Sequence, residues 1–174
     1  MPVSPESFRE LFGSFPAQVA IITAVGADGR PRGFTCTTTC AVSAAPPLLL
    51  ICVDENSQTL PAILAGRGFV ANVLAAPGEE ASRIFAGKAG DKFDRVAWEP
   101  SRRAGGAPIL TDVVLAYAEC RVVQTVTAGD HRIIVGEVEG SAVFPREPLL
   151  YGKGEYHAWP VVPVAVGTGA RAGA

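Results

Sequence analysis

A chain of 174 residues has room for one domain with a hydrophobic core. Hydrophobic residues make up 48% and charged residues only 18%, below the roughly 25% usual for soluble domains, which favours burial of some apolar surface between copies of the chain. The formal net charge of -2 offers no long-range field to nucleic acid or to an anionic membrane, and no apolar run approaches the roughly 20 residues of a membrane span.

The N-terminal MPVSPESFRE lacks a basic region followed by an apolar one, so no signal peptide is expected. Ser4 and Pro5 read as N-cap and first residue of a helix that carries Phe8, Leu11 and Phe12 at helical spacing and stops at Gly13. A hairpin follows. Val19 to Val25 is one strand, Ala27 to Arg30 the turn, and GFTCTTTCAVS (residues 33–43) the returning strand. Pro46-Pro47 ends it. LLLICVD (48–54) predicts a short strand buried on both faces. Ser57 then caps a helix over Gln58 to Ala65. GFVANVL (68–74) is a strand, and Gly78 to Gly87 a helix with Glu79 and Glu80 in its first turn. Asp91 to Pro108, rich in Arg, Gly and Pro, predicts an excursion over the surface. Two long strands, Val113 to Thr127 and His131 to Phe144, flank the turn Ala128-Gly129-Asp130. One last strand is expected near Tyr151 to Tyr156, and the residues from Gly167 are expected to be disordered. Strands that do not alternate regularly with helices favour a mainly β fold, an antiparallel barrel with short helical insertions.

The four cysteines, Cys36, Cys40, Cys52 and Cys120, form no C-x2-C pair, and two histidines offer little to a metal site. Cys36 and Cys40 on one strand lie about 13 Å apart, beyond the roughly 7 Å a disulfide spans. Reduced, mostly buried thiols in a cytoplasmic protein are expected. Gly66-Arg67-Gly68-Phe69-Val70-Ala71 matches G-x-G-x-x-A, but it leaves a helix and enters a strand, the reverse of a dinucleotide-binding turn. Gly87 to Lys92 lacks the order of a P-loop, and no G-x-S-x-G elbow occurs.

The stretch 33–43 carries five hydroxyl side chains and no charge. Period two assigns Phe34, Cys36, Thr38, Cys40 and Val42 to a core face. The opposite face holds Thr35, Thr37, Thr39, Ala41 and Ser43. That face fits either a solvated strand, since threonine favours strands, or a shallow ligand wall. Ser57-Gln58-Thr59 at a helix start suits a phosphate or a plain cap. His131, directly after a Gly-Asp turn, suits a structural role or contact with a nicotinamide or flavin.

In this order the segments resemble the flavin reductase family of two-component monooxygenases. The matching features are the opening helix with Phe8 and Phe12, GFTCTTTCAVSAAPPLLLICVD, Ser57, FVANVL, DKF (91–93), AGDHRIIVGEV (128–138) and PLLYGKGEY (148–156). The resemblance implies an FMN-binding split barrel over about residues 1–166 and a homodimer. It also implies hydride transfer from NADH or NADPH to FAD or FMN, with reduced flavin passed to a separate monooxygenase. Carried over by position, Thr37, Thr38, Thr39, Cys40, Ala41 and Ser43 would line the flavin. Ser57, Gln58 and Thr59 would hold its phosphate end, and Asp91 and Lys92 would lie near its phosphate or adenosine portion. His131 would stand beside the nicotinamide as the catalytic-site residue, and Tyr151, Lys153 and Gly154 where the pyridine nucleotide approaches. Gln58 departs from the Arg or Lys of many members, and Tyr151-Gly152-Lys153 from their aromatic-Arg pair. Two other readings use the same residues: a split-barrel flavoprotein holding FMN tightly for another oxidation, and a non-enzymatic small-ligand carrier.

Overall fold

The computed structural model describes residues 1–159; the expected disordered tail from Gly167 and the domain boundary at 166 lie outside them. The elements in chain order are α1 (Pro5–Gly13), β1 (Ala17–Gln18), β2 (Ala20–Val25), β3 (Pro31–Cys36), β4 (Thr39–Ala44), β5 (Pro47–Asp54), α2 (Leu60–Gly66), β6 (Gly68–Leu74), α3 (Glu79–Ala86), β7 (Trp98–Pro100), β8 (Pro108–Leu110), β9 (Val114–Ala128), β10 (His131–Val143), β11 (Leu149–Gly152) and β12 (Glu155–Ala158). Seven strands form one antiparallel sheet in the order β3-β2-β6-β9-β10-β5-β4. A three-stranded sheet, β1-β11-β12, and the β7-β8 pair complete the fold.

The seven-stranded order carries a geometric demand. β3 and β4 are the two edges of the sheet, yet only Thr37 and Thr38 separate them in the chain. The sheet must therefore curl until its edges face each other without pairing. The result is a split antiparallel barrel of the expected class.

β2 shows how its sequence serves two cores. Alternate side chains point to opposite faces of a strand. Ala20, Ile22 and Ala24 enter the barrel interior with Ile51, Val53, Phe69, Cys120 and Ile134, closed at one end by Leu60 and Ile63 of α2. Val19 and Ile21 face outward, where Ala81 and Phe85 of α3 cover them together with Leu74, Leu110 and Leu149. All of these are buried. Phe69 fills the barrel because Gly136 on β10 yields the space: a Cβ there would stand 2.8 Å from its ring.

Polar groups inside are satisfied. The side chain of Asn72 is fully buried. Its Nδ2 donates to Ile21 O at 3.1 Å and Pro108 O at 3.2 Å, and its Oδ1 accepts from Leu110 N at 2.9 Å. This residue bolts β8 across β2 and β6. Glu119, also buried, accepts from Ser101 Oγ at 2.6 Å and Arg102 N at 3.0 Å.

Several expectations need correction. The stretch 33–43 is not one strand. It breaks at Thr37-Thr38, and its second half pairs with β5 rather than β2. The period-two assignment fails beyond the break: Cys36 is buried, but Thr38, Cys40 and Val42 are exposed. Residues 48–54 bury one face only, through Ile51 and Val53; Leu48, Leu49, Leu50 and Cys52 are half-buried. The second helix runs over Leu60–Gly66, two residues later than expected, because residues 57–59 form a turn before it. The excursion 91–108 is partly interior, since Ala104 and Ala107 pack against Val70. The last strand is a hairpin, with Lys153 (φ 53°) and Gly154 (φ 84°) as its two-residue turn; left-handed φ at both central positions suits the twist of the flanking strands.

All four cysteines are free, and Cys40 is exposed rather than buried. Burial raises the Cys36 thiol pKa; burial and, less strongly, the Glu119 carboxylate push that of Cys120 up to about 12. Among the described residues no helix is long and apolar enough to cross a membrane, and no cluster of three His, Cys, Asp or Glu side chains could hold a metal.

Replacing Asn72 with Ala leaves the Leu110 amide without its acceptor and takes one donor each from Ile21 O and Pro108 O, of which Pro108 O keeps Thr23 Oγ1. A loss of about 1–3 kcal/mol is expected, read as a lower urea midpoint with an unchanged denaturant slope.

Candidate functional site

A cavity of about 570 Å³ opens between β3, the turn before α2, and the segment after α3. Ser57, Gln58 and Thr59 form one wall. Arg30, Arg32 and Phe34 form the second, and Phe85, Lys88, Lys92 and Phe93 the third. Four of the expected site residues thus meet: Ser57, Gln58, Thr59 and Lys92. Asp91 sits beside them as the residue before the short 3-10 turn Lys92–Arg95, exposed and outside the lining.

The turn 55–59 spends most of its amides on itself. Asn56 N donates to Asp54 Oδ1 at 2.7 Å and Ser57 N to Asp54 O at 2.9 Å. Thr59 N donates to Ser57 Oγ at 3.2 Å and Leu60 N to Ser57 O at 3.2 Å. The Gln58 amide alone among these five makes no such bond among the described residues. A phosphate here would depend on side chains more than on a row of backbone donors. Ser57 Oγ accepts from Thr59 and keeps its own proton to donate outward.

Lys92 is a strut. Its Nζ donates to Phe85 O at 3.1 Å and Gly33 O at 3.3 Å, tying the end of α3 to β3. Partial burial lowers its pKa from the ordinary lysine value. Arg32 is engaged with Asp28 at 2.8 Å. Arg30 and Lys88 make no ion pair among the described residues.

Thr37, Thr38, Thr39, Cys40, Ala41 and Ser43 do not line this cavity. They run from the split along β4, exposed or half-buried, beginning three residues (about 10 Å) beyond Phe34 on the cavity wall. Cys36 Sγ lies 3.4 Å from Thr38 Oγ1. At the other side, Gln18 Nε2 donates to Thr39 O at 2.8 Å and also meets Thr39 Oγ1. Gln18 sits on β1, where its neighbour Ala17 pairs with Tyr151. The β11–β12 hairpin is thereby held next to the hydroxyl stretch. Tyr151 packs on Tyr156 at 4.9 Å between ring centres. Lys153 N donates to Gly13 O at 2.9 Å, which pins the hairpin turn to the end of α1.

His131 opens β10 opposite Asp54, three residues before Ser57. Its Nδ1 stands 2.7 Å from Asp130 Oδ1, and this bond holds the Asp130 carboxyl below the usual range. Two links fasten its hairpin to the Ser57 turn. Glu55 N donates to Asp130 O at 3.0 Å, and Arg132 Nε donates to Glu55 Oε1 at 2.8 Å with Nη2 to Oε2 at 3.2 Å. The expected residues therefore fall into three neighbouring groups around the split: the cavity wall, the hydroxyl edge with the Tyr151 hairpin, and His131.

Sequence reading missed Arg30, Arg32, Phe34, Lys88 and Phe93 on the cavity wall, and Gln18 and Glu55 as fasteners. The basic residues following the turn at Gly29 were a signal, but one shared by any solvated hairpin.

The Arg132–Glu55 pair is two-pronged and about three-quarters buried on the arginine side. A double-mutant cycle with Arg132→Ala and Glu55→Ala is expected to give a coupling of about 1 kcal/mol by urea denaturation. Faster amide exchange at residues 55–59 should accompany either single change.

Residues 12–160 match the flavin reductase like domain. A flavin reductase (NADH) of Kitasatospora aureofaciens is 42% identical over 91% of this chain and 84% of its own length. The reductase subunit HsaB of a flavin-dependent monooxygenase of Mycobacterium tuberculosis is 38% identical over 88% of this chain and 82% of its own. The solved NADH:FAD oxidoreductase SgcE6 of Streptomyces globisporus, in complex with NAD and FAD fragments, superposes with a TM-score of 0.84 at 34% identity, covering 95% of this chain and 99% of that one. The chain belongs to the flavin reductase family.

Proposed function

We propose that this chain is an NAD(P)H-dependent flavin reductase that passes reduced FAD or FMN to a partner monooxygenase. The observation that carries the reading is the split itself. An open, uncharged hydroxyl edge, a cation-lined cavity and His131 adjoin there. Family membership supports the same activity.

A bound nicotinamide supplies a hydride and a flavin accepts it, so no protein acid or base is required. The residues bind and align. Thr37, Thr38, Thr39, Cys40, Ala41 and Ser43 offer short side chains and edge-strand backbone groups to a flat ring. Ser57, Gln58 and Thr59 serve its phosphate end, where Ser57 Oγ–H and the Gln58 amide donate. Asp91 and Lys92 shape that end, and Lys92 acts mainly by holding β3 against α3. His131, oriented by Asp130, serves the nicotinamide. Tyr151, Lys153 and Gly154 bound the approach of the pyridine nucleotide, with Lys153-Gly154 set by the hairpin turn.

The active form is a homodimer in the cytoplasm. α1 buries no residue, and Phe8, Leu11, Phe12 and Phe15 are each about half exposed. Phe8 and Phe12 stack at 4.6 Å. An apolar cluster of this kind beside the Lys153 turn suits a second copy better than water.

The assay mixes the purified chain with NADH or NADPH and excess FAD, FMN or riboflavin. Many nicotinamide turnovers per protein are expected. No turnover with any pair would refute the reading, and a stoichiometric, non-exchanging yellow protein would favour a tightly held flavin instead. Ser43→Tyr, which puts bulk on the hydroxyl edge, is expected to abolish flavin binding with an unchanged melting temperature. Phe12→Glu is expected to shift the chain from dimer to monomer in light scattering.

A further inference from the structure

We propose that a second cavity, between the β7–β8 pair and β9, binds a small organic cation, a primary ammonium or guanidinium on a short apolar stem, and that Glu119 Oε2 is its anchor.

This cavity measures about 400 Å³ and shares no lining residue with the one beside Ser57. Its volume lies within the roughly 300–1,000 Å³ of small-ligand sites. Glu119 forms part of the wall and is only 8% exposed. The two oxygens of its carboxylate differ. Oε1 accepts from Ser101 Oγ at 2.6 Å, Arg102 N at 3.0 Å and Arg103 N at 3.2 Å. Oε2 accepts from none of the described residues. No fully enclosed side-chain oxygen among those residues lacks a partner, so Oε2 borders the cavity. A carboxylate oxygen has room for about two donors, and a charged donor makes the stronger bond. Gly140, opposite Glu119 on β10, leaves this oxygen its space, because a Cβ there would collide with Oε2. The Gly140 backbone is not left-handed, so room for the carboxylate is what the glycine provides.

The rest of the lining sets the sign and shape of the ligand. Glu99 adds a second carboxylate and Arg102 one guanidinium. Both are exposed and make no ion pair among the described residues. Two carboxylates against one guanidinium leave the lining net negative. Pro100, Ile109 and the ring of Tyr117 supply apolar surface, and an aromatic face beside carboxylates suits an organic cation. A bare metal ion fits less well, since no three His, Cys, Asp or Glu side chains among the described residues converge. Arg103 is the internal competitor. Its Cδ stands 2.9 Å from the same added Cβ at Gly140, yet it forms no ion pair with Glu119.

The full chain is titrated with n-butylguanidinium or n-butylammonium chloride by isothermal calorimetry. Sodium chloride and sodium butyrate at matched ionic strength are the controls. Saturable one-to-one binding of at least one cation is expected, with a Kd of about 1 mM, the scale of a charged hydrogen bond and a covered stem. The controls should not bind. Glu119→Gln keeps an oxygen for the three donors and turns N–H groups toward the cavity. It should weaken cation binding about tenfold or more with an unchanged melting temperature. Should that variant melt early, Glu99→Lys, which places a cation on the exposed rim, decides instead and should abolish binding. No saturable binding of either cation to wild type overturns the proposal. So does equal binding of butyrate, or affinity retained in Glu119→Gln or in Glu99→Lys. Binding that appears only in Arg103→Ala overturns it too, by assigning Oε2 to Arg103.

Discussion

Everything near the site depends on a two-residue crossing. Thr37 and Thr38 carry the chain from one edge of a seven-stranded sheet to the other. From Cys36 to Thr39 is three residue steps, at most about 10 Å, so the sheet has no choice but to curl. Its edges come close, but the crossing strand has used its length to turn and cannot also pair. Unpaired edges are ordinarily a hazard for aggregation. Here they leave backbone donors and acceptors open along the gap. The short side chains of residues 37–43 follow from the same demand, because a long one would fill it.

The supports around the gap are of modest strength individually. A partly exposed Arg132–Glu55 pair, one amide from Glu55 to Asp130 O, one amide from Gln18 to Thr39, and a lysine on two carbonyls do the fastening. The barrel interior and the α3 layer, built from opposite faces of β2, carry the bulk of the burial. Rigidity is thus concentrated beneath the site and thins toward its rim, which suits a surface that ligands must enter and leave.

How much could be read beforehand varies by element, for physical reasons. The long β9–β10 hairpin was legible because Ala128-Gly129-Asp130 breaks a continuous strand-forming pattern, and α1 because Ser4-Pro5 is a strong start signal. Ser57 was legible as a cap, but not the spending of its turn's amides on Asp54 and on itself, which depends on local angles. The break at Thr37-Thr38 was hidden: the alternation of small and apolar residues continues through it, and Cys40 and Val42 read as core while standing in the open. The cationic wall was hidden more deeply. Arg30, Arg32 and Lys88 are more than 50 positions apart at the extremes, and only the curl of the sheet brings β3 to face the end of α3. Family resemblance supplied the roles of residues 37–43 and His131; periodicity alone left them open.

The thiols give the fold a chemical consequence. Free reduced flavin reacts with oxygen and yields peroxide, so a protein that makes it works inside its own source of oxidant. Thiolates, not thiols, are the sulfur species that peroxide attacks. Burial keeps Cys36 and Cys120 protonated and so chemically quiet at the centre of the barrel. Cys40, exposed on the edge strand, lacks that burial, and oxidative wear of this catalyst would begin at the edge of its own sheet.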